Sequence, residues 1–325
     1  MTTPPLTFKT RAELWLARWL QRFYRLRHRP LEACLPQHFK AYAFGSAAPV
    51  ASTIPPILWA FWDGATPPLL IARCFANWRA MNPGFSIRIL SEATVRDYLP
   101  ELPASLAALP VAKRSDWIRL ELLKRHGGIW LDASTVLTES LDWVLAQQQR
   151  TQCEFVGYYL ERYTTQAQCP VVESWFMAAV PQSRFVADLQ HEFTSEVISR
   201  SGEEYIEALQ ARGIYESVRQ NIDIPAYLSI HLAMQATLQQ KTGYRLCLAK
   251  AEDGPFFLHV LGHWGRTPLK IRLMFSRVQG AVPPLVKLRS PDRKRLDLYL
   301  ARGLYVPGSL ADVYLLPAAT TQTNK

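Results

Sequence analysis

Apolar positions along the chain follow two rhythms, a helical spacing and short unbroken runs, and their alternation predicts a layered α/β fold. Arg11, Arg18, Arg22, Arg25 and Arg29 fall along one stripe of a helix. Leu16, Trp19, Leu20 and Phe23 take the broad opposite side, with Arg27 intruding near the end. Such a basic helix reads either as one that lies on a membrane surface or as one packed on its own domain with its arginines solvated. A stretch rich in Ala, Ser and Pro from Ala43 to Pro56 reads as a linker. Residues Ile57–Trp62 (ILWAFW), bounded by prolines and Asp63-Gly64, predict a strand buried on both faces. Helical spacing follows through Met81 and stops at Asn82-Pro83-Gly84; Phe85–Leu90 alternates as a second strand, and Ser91 begins a short helix.

Lys113–His126 predicts a helix whose basic last turn suits its negative end, with Gly127 as a left-handed stop. Gly128–Asp132 then continues as a strand. This βαβ rhythm is that of a doubly wound, mostly parallel sheet. Beyond it, Phe155–Tyr159 and Trp175–Ala179 predict strands, Ser183–Arg200 and Ile222–Gln240 helices, and Phe256–Val260 a late strand. The last ten or so residues, ending TTQTNK, are expected to fray. The organisation expected is a basic helix and linker over 1–50, a central domain over 51–265, and a basic extension over 266–325.

Composition changes this picture little. Apolar residues make up 49% and charged residues 20%, enough for a substantial core. The five cysteines are scattered without a C-x-x-C spacing, which argues against a disulfide framework or a structural zinc site and fits a reducing compartment. The start of the chain lacks the apolar stretch of a secretory signal, and Phe44–Trp62 is interrupted by Pro49, Pro55 and Pro56, so no segment reads as membrane-spanning.

Charge changes it more. Residues 1–40 hold eight Lys/Arg against two acids and residues 266–303 hold ten against two, so the excess of +10 sits at the two ends. A nucleic-acid binder could use such charge, but no reading motif accompanies it.

The chemistry concentrates in Ser115-Asp116-Trp117-Ile118-Arg119 and His126-Gly127-Gly128-Ile129-Trp130-Leu131-Asp132-Ala133-Ser134. Asp116 and Arg119, three apart, share one side of a helix, and Asp132 sits at the carboxyl end of the next strand, where open α/β sheets bind ligands. Spacing alone allows a site there without naming its ligand. Glu173 and His231 read as structural, His231 as a satisfied core histidine.

Pro56-Ile57 leading to Trp59, Phe61, Trp62 and Asp63, then Asn77-Trp78, Asn82-Pro83-Gly84-Phe85 and SDWIRLELLKRHGGIWLDAST resemble the capsular polysaccharide synthesis protein family, with a weaker echo at Glu173-Ser174-Trp175-Phe176. That family is related to glycosyltransferases carrying an Asp-x-Asp motif, among them yeast-type mannosyltransferases and glucosylating bacterial toxins. The resemblance implies a GT-A fold and transfer of a sugar from a nucleotide-sugar donor, with retention of configuration. By the same resemblance Trp62 flanks the donor base, Asp116 and Arg119 meet sugar or ribose hydroxyls, and Asp132 is the first acid of the Asp-x-Asp position. Ser134 stands where related enzymes have the second acid. A hydroxyl is a weak ligand for Mn²⁺ or Mg²⁺, so the need for a divalent cation is open. His263, Trp264 and Arg266 are the candidates to close over the donor diphosphate, with His263 and Asp132 as candidate metal ligands.

The partners expected are a nucleotide sugar, a glycan or lipid-linked acceptor and an anionic membrane surface, at the inner face of the cytoplasmic membrane and without nucleic acid. The alternative expectation is a non-catalytic scaffold that binds glycan or nucleotide within an assembly complex.

Overall fold

The computed structural model describes residues 6–315, so the expected frayed tail lies outside the described residues. The chain begins with α1 (Phe8–Leu26) and an edge strand β1 (Lys40–Phe44), followed by β2 (Ile57–Phe61), α2 (Leu69–Met81), β3 (Ser86–Leu90), α3 (Val111–His126) and β4 (Gly128–Leu131). Next come β5 (Thr135–Leu137), α4 (Asp142–Thr151), β6 (Phe155–Leu160), β7 (Val171–Ala179), α5 (Arg184–Glu192), α6 (Gly202–Ala211), α7 (Tyr215–Arg219), α8 (Ser229–Gln240) and β8 (Tyr244–Lys250). The last part holds α9 (Phe257–Leu261), α10 (Arg266–Phe275), β9 (Leu285–Lys287), α11 (Leu296–Ala301) and α12 (Leu310–Tyr314).

Seven strands form one sheet in the order β1-β8-β6-β7-β4-β2-β3. β8, β6, β4, β2 and β3 all run the same way, while β7 is antiparallel to β4 and β6, and β1 to β8. The mostly parallel α/β sheet expected from the βαβ rhythm is therefore present. Its two faces carry separate apolar cores. One core packs β2 and β4 against α2 and also takes Leu14 and Ala17 of α1 and the C-terminal segment from Leu269 to Leu315. The other is built with Trp117, Leu120, Phe185, Leu189, Leu232 and Ala236 of α3, α5 and α8.

Gly127 and Gly128 make the tight passage from α3 into β4 with positive φ angles of 63° and 99°. A side chain on Gly128 would stand 2.7 Å from the carbonyl oxygen of Ile57, and one on Gly127 2.6 Å from the nitrogen of Pro181. Only glycine suits both positions.

Three parts of the expected pattern differ. Phe256–Val260 is helical, as α9, because a short apolar run fits a buried helix as well as a strand. The helix expected from Ile222 begins only at Ser229, since Pro225 disfavours helical geometry just before it. α1 also turns differently. Thr10, Leu14, Ala17 and Gln21 form its buried stripe, Gln21 donating to the carbonyls of Gly303 (2.6 Å) and Tyr305 (2.7 Å). Trp15 and Trp19, 71% and 51% exposed, face outward with Phe8 and Leu26.

The polar residues at the end of α2 have a structural task. Asn77 bonds both ways with the backbone of Leu137, at 2.9 and 2.8 Å, and the Trp78 indole donates to Thr135 O at 2.7 Å. They fix β5, which pairs antiparallel with β9 in the register Thr135↔Lys287. Asn77→Ala is expected to leave the Leu137 backbone groups unsatisfied and to lower stability by about 1–3 kcal/mol in chemical denaturation.

Candidate active site

A cleft of about 420 Å³ opens at the carboxyl ends of β2 and β4. Trp62 follows β2, Asp132 follows β4, and α3 contributes Ser115, Asp116 and Arg119. This is the position where a parallel sheet leaves a crevice for ligand.

Arg119 is the brace of the cleft wall. Its guanidinium donates to Ser174 O at 2.5 Å and pairs with Asp116 Oδ1 at 3.0 Å and Asp132 Oδ1 at 3.3 Å. It also lies over the Trp130 ring, 5.0 Å from its centre, and the Trp130 indole donates to Asp132 Oδ1 at 3.2 Å. The other carboxylate oxygen of Asp132 accepts from Lys287 Nζ at 2.7 Å. Burial alone would raise the Asp132 carboxyl, but Lys287 and Arg119 outweigh it and hold it at about 2. Asp116 goes the other way. Burial, reinforced by the Asp132 charge and opposed by Arg119, pushes it up to about 6.

Trp62, Asp116, Arg119, Asp132 and Ser134 are thus brought together, but His263, Trp264 and Arg266 do not line the cleft. Because residues 257–261 form a helix, the chain reverses through His263 and Trp264 at positive φ angles of 47° and 59°. Trp264 packs against Arg162 and Arg289, 4.5 and 5.0 Å from its ring centre. Arg266 starts α10 and faces α1.

Three residues at the cleft escaped the sequence reading, two on its lining and one, Lys287, behind Asp132. Lys287 arrives on β9, nearly buried and 5.5 Å from the centre of the Trp175 ring. Its signal was legible in retrospect, as a lysine inside the apolar run Leu285–Leu288. Arg293 comes from a turn with no periodic pattern. His231 was expected in the core and is buried, yet it also lines the cleft. Its Nε2 lies 3.5 Å from Glu173 Oε2, and its Nδ1 is buried without a partner.

A divalent cation does not fit these residues. Both oxygens of Asp132 are already engaged by cationic or indole donors. The Ser134 hydroxyl is turned away to donate to Leu288 O at 2.7 Å. Among the described residues no group of three His, Cys, Asp or Glu side chains is placed to hold a metal.

The model of the family described as "Capsular polysaccharide synthesis protein" matches residues 28–261. The chain belongs to that family. The matched span holds the whole α3–β4 passage and the seven-stranded sheet, while Arg293 of the cleft and Lys287, the partner of Asp132, lie beyond it. No curated protein is similar enough to count as a match. Solved structures similar to this family member include the galactosyltransferase LgtC in complex with donor and acceptor sugar analogues, at 14% identity over 72% of this chain and 87% of that one, with a TM-score of 0.37. The PaToxG glycosyltransferase is similar at 11% identity over 70% and 87%, with a TM-score of 0.30. The UDP-bound glycosyltransferase domain from the YGT toxin follows at 10% identity over 50% and 68%, with a TM-score of 0.32.

Proposed function

We propose that the protein is a GT-A glycosyltransferase of polysaccharide synthesis, moving a sugar from a nucleotide-sugar donor to a glycan or lipid-linked acceptor. One observation carries this reading. The cleft joins a flat indole (Trp62), a carboxyl pushed up to about 6 (Asp116) and two guanidinium groups (Arg119, Arg293) at the carboxyl ends of parallel strands, with the Lys287 ammonium held behind Asp132.

Each part matches a need of the donor. Trp62 offers a face on which the base stacks. Asp116, when ionised, accepts hydrogen bonds from vicinal hydroxyls. Transfer breaks the bond between the anomeric carbon and the diphosphate oxygen, and negative charge grows on the departing nucleoside diphosphate. Arg293 meets that charge in place of a metal ion, and the Lys287 ammonium behind Asp132 adds its field. Arg119, occupied on both sides by carboxylates, is a positioning residue that holds Asp116 and Asp132 apart at fixed distance. Retention of anomeric configuration follows from the family resemblance.

The enzyme acts as a peripheral protein on the inner face of the cytoplasmic membrane. The outward Trp15, Trp19 and Leu26 face of α1, flanked by Arg11, Arg18, Arg22 and Arg25, supports this placement. Among the described residues no helix is long and apolar enough to cross a membrane.

Screening UDP-, GDP- and CMP-sugars by thermal shift, with Mn²⁺ or EDTA, tests the reading, because a ligand of the folded state raises its melting temperature. A rise with one donor class, equal under both conditions, is expected. No rise with any donor sinks the proposal.

The pH dependence follows from Asp116. Its carboxylate is lost as pH falls through about 6, so donor affinity should hold from pH 8 to pH 6.5 and fall up to about tenfold per unit below pH 6. Asp116→Asn should bind more weakly at pH 8 and show a flat profile down to pH 5, read by titration calorimetry.

A further inference from the structure

A second hollow, about 460 Å³, lies between α1 and the segment that runs from α10 to α11. Its apolar floor includes Leu16, Leu20, Ile271 and Phe275. Its rim carries Lys9, Arg266, Lys270, Lys294 and Arg295. One acid, Glu13, sits among them, bonded to Lys270 at 2.8 Å and paired with Arg295. Lys9, Arg266 and Lys294 are exposed and form no ion pair among the described residues. Glu13 therefore neutralises one of five cations and leaves the hollow strongly positive.

The surroundings of the hollow narrow its occupant. Leu16 and Ala12, on its edge, continue round α1 into the outward face of Phe8, Trp15 and Trp19. A ligand of matching chemistry has a compact anionic head and apolar tails that leave the groove toward that face. A soluble phosphate satisfies only the first requirement.

We propose that this groove binds the phosphate headgroup of an anionic glycerophospholipid, with Arg266, Lys294 and Lys9 as its contacts and the acyl chains lying along Leu16 and the α1 aromatic face. The inference builds on the membrane reading above and gives it a discrete lipid site. Charge complementarity selects the anionic head, since each Lys or Arg near an anionic lipid surface strengthens binding about fivefold. The groove also shares a wall with the donor cleft. In the turn before α11, Pro291, Lys294 and Arg295 line the groove while Arg293 lines the cleft.

The test uses the full chain and dihexanoyl phosphatidylglycerol below the concentration at which it forms micelles. Thermal shift is compared with dihexanoyl phosphatidylcholine and with inorganic phosphate. The phosphatidylglycerol alone is expected to raise the melting temperature of the wild type and of a control, Arg79→Ala with Arg150→Ala, whose exposed arginines lie on α2 and α4. Arg266→Ala with Lys294→Ala should weaken it roughly thirtyfold, from two lost charges at about fivefold each. An equal response to phosphatidylcholine or to inorganic phosphate overturns the assignment, as does an unchanged response in the groove variant. Flotation with phosphatidylglycerol vesicles separates this from the membrane reading. If the wild type ignores vesicles while the short-chain lipid still binds through Arg266 and Lys294, the membrane reading falls and the groove stands.

Discussion

Replacing Lys287 with methionine should lower the rate of sugar transfer by about 10²–10³-fold while leaving Mn²⁺ and EDTA without effect on the wild type. The magnitude is that of removing one preorganised donor from a site of growing negative charge. Lys287 is nearly buried and its ammonium is fixed behind Asp132 at 2.7 Å, so on the proposed mechanism its charge acts on the leaving group with little reorganisation. Methionine keeps most of the stem that packs by Trp175 and removes only the charge. The measurement is kcat and KM for release of the nucleoside diphosphate with the donor found in the screen. A rise in KM with kcat unchanged would make Lys287 a ground-state binding group instead. A wild type that is inactive in EDTA and restored by Mn²⁺, together with an active Lys287→Met, would falsify the metal-free assignment.

Asp132→Ala should have the second large effect, and it should act on stability as well as on function. The variant leaves Lys287 buried without its counter-charge, and removal of one partner from a buried pair costs about 3–5 kcal/mol. Because Asp132 is a third exposed to the cleft, the lower end, about 3 kcal/mol, is expected. Urea denaturation reads this directly. Thermal shift should show in addition no response to the donor. The double variant Asp132→Ala with Lys287→Met separates the two effects. It should recover much of the stability, since no unpaired charge remains, without recovering the donor response. Equal stability of the single and double variants would show that the pair is not the source. The pH dependence of the wild type carries the same sign. The Asp132 carboxyl is held at about 2, below its ordinary 3.8, so the stability it brings is present above pH 4 and is lost as pH falls toward 2.

The parts of the fold written in local periodicity were legible before the structure. The strand from Ile57, the helix into Gly127 and the strand that delivers Asp132 all lie where apolar runs and glycine punctuation put them. The three side chains that share the cleft wall, Asp116, Arg119 and Asp132, were legible for the same reason, being separated by one helix and one strand. What failed was whatever depends on distant chain. Lys287 reaches Asp132 through the pairing of β5 with β9, and such pairing has no signature in a window of ten residues. The segment at His263 misled because Phe256–Val260 is apolar enough for either kind of element, and the choice of helix redirects the next turn. For α1, the arginine stripe was visible, but the chain-distant Gly303 and Tyr305 decide which of its other faces is buried.

Asp132 and Lys287 stand 155 positions apart, so the cleft has a place in time as well as in space. Contacts of such long range form late in folding, and during synthesis the amino-terminal part is available first. A nascent chain that has emerged as far as β7 can hold Asp132 and Arg119 but not the lysine that completes the charge balance. Donor affinity should therefore switch on only when β9 docks beside β5, making that long-range strand pair the timer by which an unfinished chain is kept from binding the proposed donor.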